Sequence, residues 1–335
     1  MTCEIDRGAR CAVVGHGSWA TALVKILLEN EVEVGWYIRS RDVLEHIRDH
    51  GTNPRYLTDV HFPADRLFLS DDLDAVVRGA DIVVLAVPSV YLKTTLDVLS
   101  EPLDGKFVVS AVKGIVPGDL VTVAEYVNRR YGVPFDRIGI VSGPCHAEEV
   151  ALERLSYLTV VCKNMADSVM LGRKIRTPYI AVSHSTDIYG IEYASVLKNI
   201  YALAVGVAVG RGYGDNFLAV LISNGAMEMS RFMERTYPAA RNTFASAYLG
   251  DLLVTSYSQF SRNRRFGLMI GKGYSVAAAR AEMNMVAEGY YAAECVMKIN
   301  ERHGVEMPIA SAVYDMLYRE APAAAVLSSL TDKLI

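Results

Sequence analysis

Cys11-Ala12-Val13-Val14-Gly15-His16-Gly17-Ser18-Trp19-Ala20 decides how the first half of this 335-residue chain is read. The apolar run from Cys11 to Val14 predicts a buried strand, and the pattern through Ala22, Leu23, Ile26 and Leu27 predicts the helix after it. Between them stands a GxGxxA turn. Gly15 permits the tight turn, Gly17 lets backbone come close to a diphosphate, and the small Ala20 lets helix and strand pack closely. Amides at the start of such a helix are exposed and suit phosphate. Gly15, Gly17, Ser18 and Trp19 are therefore candidate contacts to a dinucleotide.

Around this turn, short β-rich runs alternate with longer amphipathic stretches, the pattern of βαβ units on a parallel sheet. Strands are predicted at 10–14, 32–38, 81–87, 106–112, 138–142, 158–162 and 179–183. Several are Val/Ile runs with little alternation, as expected where helices cover both sheet faces. The second strand ends at Tyr37-Ile38-Arg39-Ser40-Arg41, where NAD enzymes carry an acid for the ribose hydroxyls. Arg39 and Arg41 there favour NADPH/NADP over NADH/NAD. Val83-Val84-Leu85-Ala86-Val87-Pro88-Ser89 ends a later strand on proline, placing the next loop at the carboxyl edge, where open α/β sheets bind ligands.

After about Ser185 the strand signal fades and apolar segments appear at helical spacing. The stretch 186–210 opens on Thr186 and Asp187 and closes on Gly210, giving a helix of roughly 36 Å. The chain is longer than one core usually grows. The expected fold class is α/β: a Rossmann-like doubly wound sheet over 1–185, then an all-α domain over 186–335, with the ligand cleft between them.

Composition excludes several classes. A net charge of −4 and a pI near 6.0 leave no nucleic-acid footprint. Cys3, Cys11, Cys145, Cys162 and Cys295 form no CxxC pair, so neither a disulfide framework nor a zinc knuckle is expected, and a reducing cytoplasm fits. His16, His46, His50, His61, His184 and His303 lack ligand-spaced partners, so no metal is expected. Residues 1–10 lack a secretory core, and the richest apolar run, 200–210, is about half the roughly 20 residues a membrane span needs. The apolar second half is compatible with a homodimer.

Lys198 is a lone cation in the helix that runs through Ile200, Leu203 and Val207. Its helical neighbours Ala194, Ser195, Tyr201 and Ala202 supply no countercharge. Burial would lower its pKa toward the range useful for proton transfer; a lysine snorkelling to solvent is the alternative.

Five segments then accumulate in order: Gly15 to Ala20; Ser110-Ala111-Val112-Lys113-Gly114; Gly143-Pro144-Cys145-His146-Ala147-Glu148-Glu149; Leu197-Lys198-Asn199; and Gly250-Asp251-Leu252 leading to Ser261-Arg262-Asn263-Arg264-Arg265-Phe266-Gly267. With these, nearly the whole chain resembles NAD(P)-dependent glycerol-3-phosphate dehydrogenase of the Rossmann type. The resemblance implies a small phosphorylated substrate: hydride transfer interconverts sn-glycerol 3-phosphate and dihydroxyacetone phosphate, supplying phospholipid synthesis. It implies Lys198 as the acid-base group, with Lys113 polarising the same oxygen or anchoring substrate and cofactor. Asp251 would orient Lys198, and Asn199 would hydrogen-bond nearby. Ser261, Arg262 and Asn263 would hold the phosphate, which guanidinium geometry suits, and Arg262 would also reach the cofactor. Gly143 and Cys145 fall on the substrate side; Ala147, Val286 and Glu288 fall on the cofactor side.

The chain departs from the family in several places: Ala20 stands for the third glycine, Cys145 for a serine that bonds more strongly, and His146 is likewise unusual. His146 with Glu149 is reminiscent of hydroxyacid dehydrogenase chemistry. A related β-hydroxyacid dehydrogenase acting on a carboxylate is thus a rival reading. A non-catalytic dinucleotide-binding redox sensor, in which Lys198, Lys113 and Asp251 are incidental, is another.

Overall fold

The computed structural model describes residues 5, 8–31, 33–283 and 285–335. Cys3 and the first residue of the predicted strand 32–38 lie outside them. The chain divides into two compact units: Met1–Val112 with Val123–Ile188, and Lys113–Thr122 with Tyr189–Ile335.

The first unit is built on one eight-stranded sheet. Its strands are β1 Cys11–Val14, β2 Val34–Tyr37, β3 Leu67–Ser70, β4 Ile82–Leu85, β5 Phe107–Ser110, β6 Ile138–Ser142, β7 Ser156–Cys162 and β8 Ile180–Ser185. They lie in the order β3-β2-β1-β4-β5-β6-β7-β8. The first six follow the doubly wound dinucleotide-binding order. Every residue of β1, β4, β5 and β6 is buried, so both sheet faces are covered, which is why these strands read as unbroken apolar runs. Val14 is in register with both Tyr37 and Leu85, and Leu85 with Ser110, so four strands deliver their following loops to one carboxyl edge.

Two features differ from the sequence reading. The edge strand β3 was not predicted: it pairs only with β2, Phe68 is exposed and its neighbours are half-buried, so it lacks the apolar run that marks the central strands. And β7 runs antiparallel to β6 in an otherwise parallel sheet. The connection between them carries only the five-residue helix Ala147–Ala151 and brings the chain back beside itself.

The second unit is helical, and among the described residues none after Ser185 is in a strand. The helix Ile188–Gly210 has 23 residues, and every residue from Ile191 to Ala208 is buried. By length and composition alone it would suffice to cross a membrane, but 89% of its most apolar window is buried inside the protein. It is a core helix. Its bounds agree with the helix expected over 186–210; the apolar run 200–210 is only part of it, because Glu192 and Lys198 interrupt the apolar sequence.

The helix Arg262–Gly271 meets this core helix backbone to backbone. A Cβ on Gly206 would stand 2.0 Å from the carbonyl oxygen of Arg264, and one on Gly267 2.0 Å from that of Leu203. Gly210 and Gly271 make the same approach one turn further on, at 2.5 Å from Leu268 O and 2.3 Å from Val207 O. Only glycine at these positions permits the crossing.

Against the expected boundary at 185/186, residues 113–122 group with the helical unit and the first unit runs on to Ile188. The Lys113 carbonyl accepts from Asn199 Nδ2 at 2.9 Å, and the Lys113 ammonium lies 3.4 Å from Asp251 Oδ2.

Candidate active site

Asp251 opens the helix Asp251–Tyr257, directly after a π-helical turn at Ser246–Gly250. Such turns re-aim the residues next to them, and a carboxylate at a helix N-terminus is electrostatically favourable. One oxygen of Asp251 hydrogen-bonds Lys198 Nζ, and the other faces Lys113. The side chains of Lys198 and Asp251 are 4% and 2% exposed, against 19% for Lys113. Lys198 is therefore not snorkelling. Its countercharge comes from 53 residues further along the chain and from none of its helical neighbours.

Two lysines, one buried and one partly exposed, share one buried carboxylate. Burial dominates and lowers the Lys198 pKa to about 7, while Asp251 pulls it up and Lys113 pushes it further down. A lysine with its pKa lowered in this way is suited to proton transfer near neutrality.

A chain of amides fixes the surroundings. Asn199 Nδ2 donates to the Lys113 carbonyl, Asn263 Nδ2 donates to Asn199 Oδ1 at 2.8 Å, and Gly289 N donates to Asn263 Oδ1 at 2.8 Å. Both ends of the Asn263 amide are thus engaged in bracing. Gly289 is required because a Cβ there would lie 2.5 Å from the Asn199 carbonyl oxygen. Val286 and Glu288, both half-buried, flank this junction.

Ser261 Oγ accepts from Arg264 N at 3.3 Å and caps the helix that begins at Arg262. The half-buried Arg262 side chain has no hydrogen bond or ion pair among the described residues, which leaves its guanidinium available to an anion. Lys113, Lys198, Asn199, Asp251, Arg262 and Asn263 all belong to the second unit. Gly143, Cys145 and Ala147 belong to the first, in the turn after β6 and the start of the helix that follows, with Gly143 at φ +119° and the other two buried.

In the first unit the glycine turn stands at the carboxyl end of β1. Gly15 has φ +122°, and a Cβ on it would lie 2.6 Å from the Ala86 carbonyl oxygen at the end of β4. Gly17 is the opposite case, since a Cβ there would meet nothing within 4 Å. Open space thus faces the start of the helix Ser18–Leu28, whose first turn holds no acid and whose N-cap supplies no side-chain acceptor. Ser18 is buried and Trp19 half-buried. These features fit the diphosphate of a dinucleotide.

Arg39 and Arg41 separate in role. Arg41 pairs with Glu45 at 3.0 Å along one exposed helix face. Arg39, together with Arg55, lies close enough to His16 in the turn to add to the lowering of its pKa, which burial chiefly causes. Arg55, ion-paired with Asp42, carried no motif in the sequence. Neither did Trp36 or Asn53, which hold the turn from behind, nor the buried Glu228, which accepts from Ile309 N and Ala310 N at 2.8 and 2.9 Å. Among the described residues no group of three or more His, Cys, Asp or Glu side chains is placed to hold a metal.

Comparison with known proteins matches both halves. The family pattern described as NAD-dependent glycerol-3-phosphate dehydrogenase N-terminus covers residues 10–168, and the corresponding C-terminus pattern covers 187–328. The chain is 37% identical over 321 residues to glycerol-3-phosphate dehydrogenase [NAD(P)+] of Thermobifida fusca, spanning 95% of each chain. It is 35% identical over 328 residues to the protein of that name from Chlorobium chlorochromatii, covering 96% of this chain and 97% of the other. Among solved structures, glycerol-3-phosphate dehydrogenase from Coxiella burnetii superposes with a TM-score of 0.89 at 28% identity, covering 97% of this chain and 99% of the other.

Proposed function

Because the chain belongs to the NAD-dependent glycerol-3-phosphate dehydrogenase family, we propose that it interconverts sn-glycerol 3-phosphate and dihydroxyacetone phosphate with NAD(P)(H). The observation that carries this reading is the buried Lys198, hydrogen-bonded to Asp251 with Lys113 on the other carboxylate oxygen, where burial lowers the lysine's pKa toward neutrality. In the oxidative direction the neutral Lys198 amine takes the proton of the substrate's carbon-2 hydroxyl; in the reductive direction its ammonium returns that proton to the ketone oxygen. The bound nicotinamide supplies or accepts the hydride. Lys113, the more exposed of the two lysines, steadies negative charge developing on the same oxygen. Asp251 keeps both ammonium groups aimed, and the unpaired Arg262 guanidinium takes the substrate phosphate, with Asn199 and Asn263 fixing its position relative to Lys198.

Arg39, just after β2 and close enough to His16 to act on it, favours NADP over NAD. A preference for NADPH suits a reductive role that supplies glycerol 3-phosphate for phospholipid synthesis in the cytoplasm. The test is an activity panel: dihydroxyacetone phosphate against small ketoacids, each with NADPH and NADH. Turnover confined to the phosphate ester is expected, and ketoacid turnover without it would overturn the assignment.

A further inference from the structure

The backbone carbonyls of Gly15, His16 and Gly17 are all held from behind. Trp36 Nε1, from β2, donates to Gly15 O at 2.7 Å, and Asn53 Nδ2 donates to His16 O at 3.1 Å. Gly17 O receives the amide and the hydroxyl of Thr21, each at 2.9 Å, as part of the helix's own first turn. The first two donors come from outside the glycine motif, and both Trp36 and Asn53 are fully buried.

In a trans peptide the C=O and N–H point in opposite directions. Holding Gly15 O inward therefore sends the His16 N–H outward, and holding His16 O inward does the same for Gly17 N–H. A diphosphate needs donors facing it, whereas a peptide flip in this turn would present a carbonyl oxygen to an anion. Glycine on both sides of His16 makes such flips sterically cheap, so the outward arrangement must be enforced.

We propose that Trp36 and Asn53 are positioning residues for the dinucleotide: they lock two successive peptide planes of the turn so that their amides face the diphosphate. The proposal rests on the dinucleotide reading of the first unit. Asn53 is suited to the task because its second contacts fix it in place. Its Nδ2 also donates to Thr21 Oγ at 2.9 Å, and its Oδ1 accepts from Arg55 N and Tyr56 N at 3.0 and 3.2 Å. Trp36 is held by an edge-on contact with Phe62, ring centres 5.2 Å apart.

The experiment uses two variants of the full chain. Asn53→Asp keeps the oxygen that receives Arg55 N and Tyr56 N but removes the N–H that holds His16 O. Trp36→Phe keeps an aromatic ring against Phe62, removes the N–H that holds Gly15 O, and introduces no charge. Calorimetric titration with NADPH and with NADH should show Kd raised about tenfold in each variant, the size expected when a buried hydrogen bond is lost. Both nucleotides should weaken together, since they share the diphosphate. In steady-state kinetics the KM for the dinucleotide should rise more than kcat falls. Should Asn53→Asp fail to fold, Trp36→Phe decides alone. An unchanged Kd with only a lowered melting temperature would mean a purely structural role and overturn the proposal while leaving the family reading intact. Wild-type protein that bound neither nucleotide would overturn both.

Discussion

Asp251 serves two lysines with one carboxylate, Oδ1 bonded to Lys198 Nζ and Oδ2 3.4 Å from Lys113 Nζ. Lys198 is the more deeply buried of the two, which is why the proposed function gives proton exchange to it and charge stabilisation to Lys113. Replacing Lys198 with Ala is expected to lower kcat by about 10²–10⁴, the usual contribution of a general acid-base group. Calorimetric titration with NADPH should show a far smaller change in affinity, which separates lost chemistry from lost folding.

The direction of the Lys198 shift fixes a pH dependence. Burial lowers its pKa to about 7, so the neutral base becomes available as pH rises through that value and the acid is lost over the same range. Glycerol 3-phosphate oxidation should therefore accelerate from pH 6 to 8, and dihydroxyacetone phosphate reduction should slow, each read as kcat across a buffer series. Asp251 raises this pKa, so Asp251→Asn should move both inflections to lower pH.

Glu228 gives a stability prediction of its own. Burial raises its pKa to about 7 from an ordinary 4.5, against the pull of the Ile309 and Ala310 amides. The folded state thus holds this proton more tightly than the unfolded state does. The associated stability is present below about pH 4.5 and is lost as pH rises through about 7, on the order of 1 kcal/mol per pH unit within the window. Urea midpoints should fall between pH 5 and 8, and Glu228→Gln should flatten that slope.

Gly206→Ala would push a methyl against the Arg264 carbonyl at 2.0 Å, where neither helix backbone has room to give. A cost on the order of 3 kcal/mol is expected, at the upper end for overpacking, and is measurable as a lowered urea midpoint. Gly17→Ala, facing open space, should leave stability nearly unchanged while weakening dinucleotide binding.

Arg39→Ala should weaken NADPH binding more than NADH binding. Arg41, already committed to Glu45 on an exposed helix face, should tolerate Ala with little change in either affinity.

The central strands and the glycine turn were legible because burial on both faces leaves continuous Val/Ile runs and because the turn's chemistry demands fixed residues at fixed spacing. β3 was not legible, since four residues at a sheet edge, one of them exposed, leave no periodic trace. Lys198 stands out as a cation in an apolar helix, but its partner lies 53 residues away and only the family resemblance pointed to it, since nothing in the residues around either one encodes that contact. Asn53 and Trp36 read as an ordinary loop residue and an ordinary strand aromatic. Their roles depend on where the fold carries their N–H groups, which no local pattern records. The separation of Arg39 from Arg41 likewise follows from the helix that begins at Arg41.

The four glycines that join the core helix to Arg262–Gly271 bear on how this enzyme family can be recombined. Where two main chains touch without side chains between them, no rotamer change can absorb a mismatch, so the two helices are inherited as one part. A chimera that exchanges residues 188–210 with a relative must carry over 262–271 as well, and any redesign of substrate choice has to proceed by changing what projects from this joint, never the joint itself.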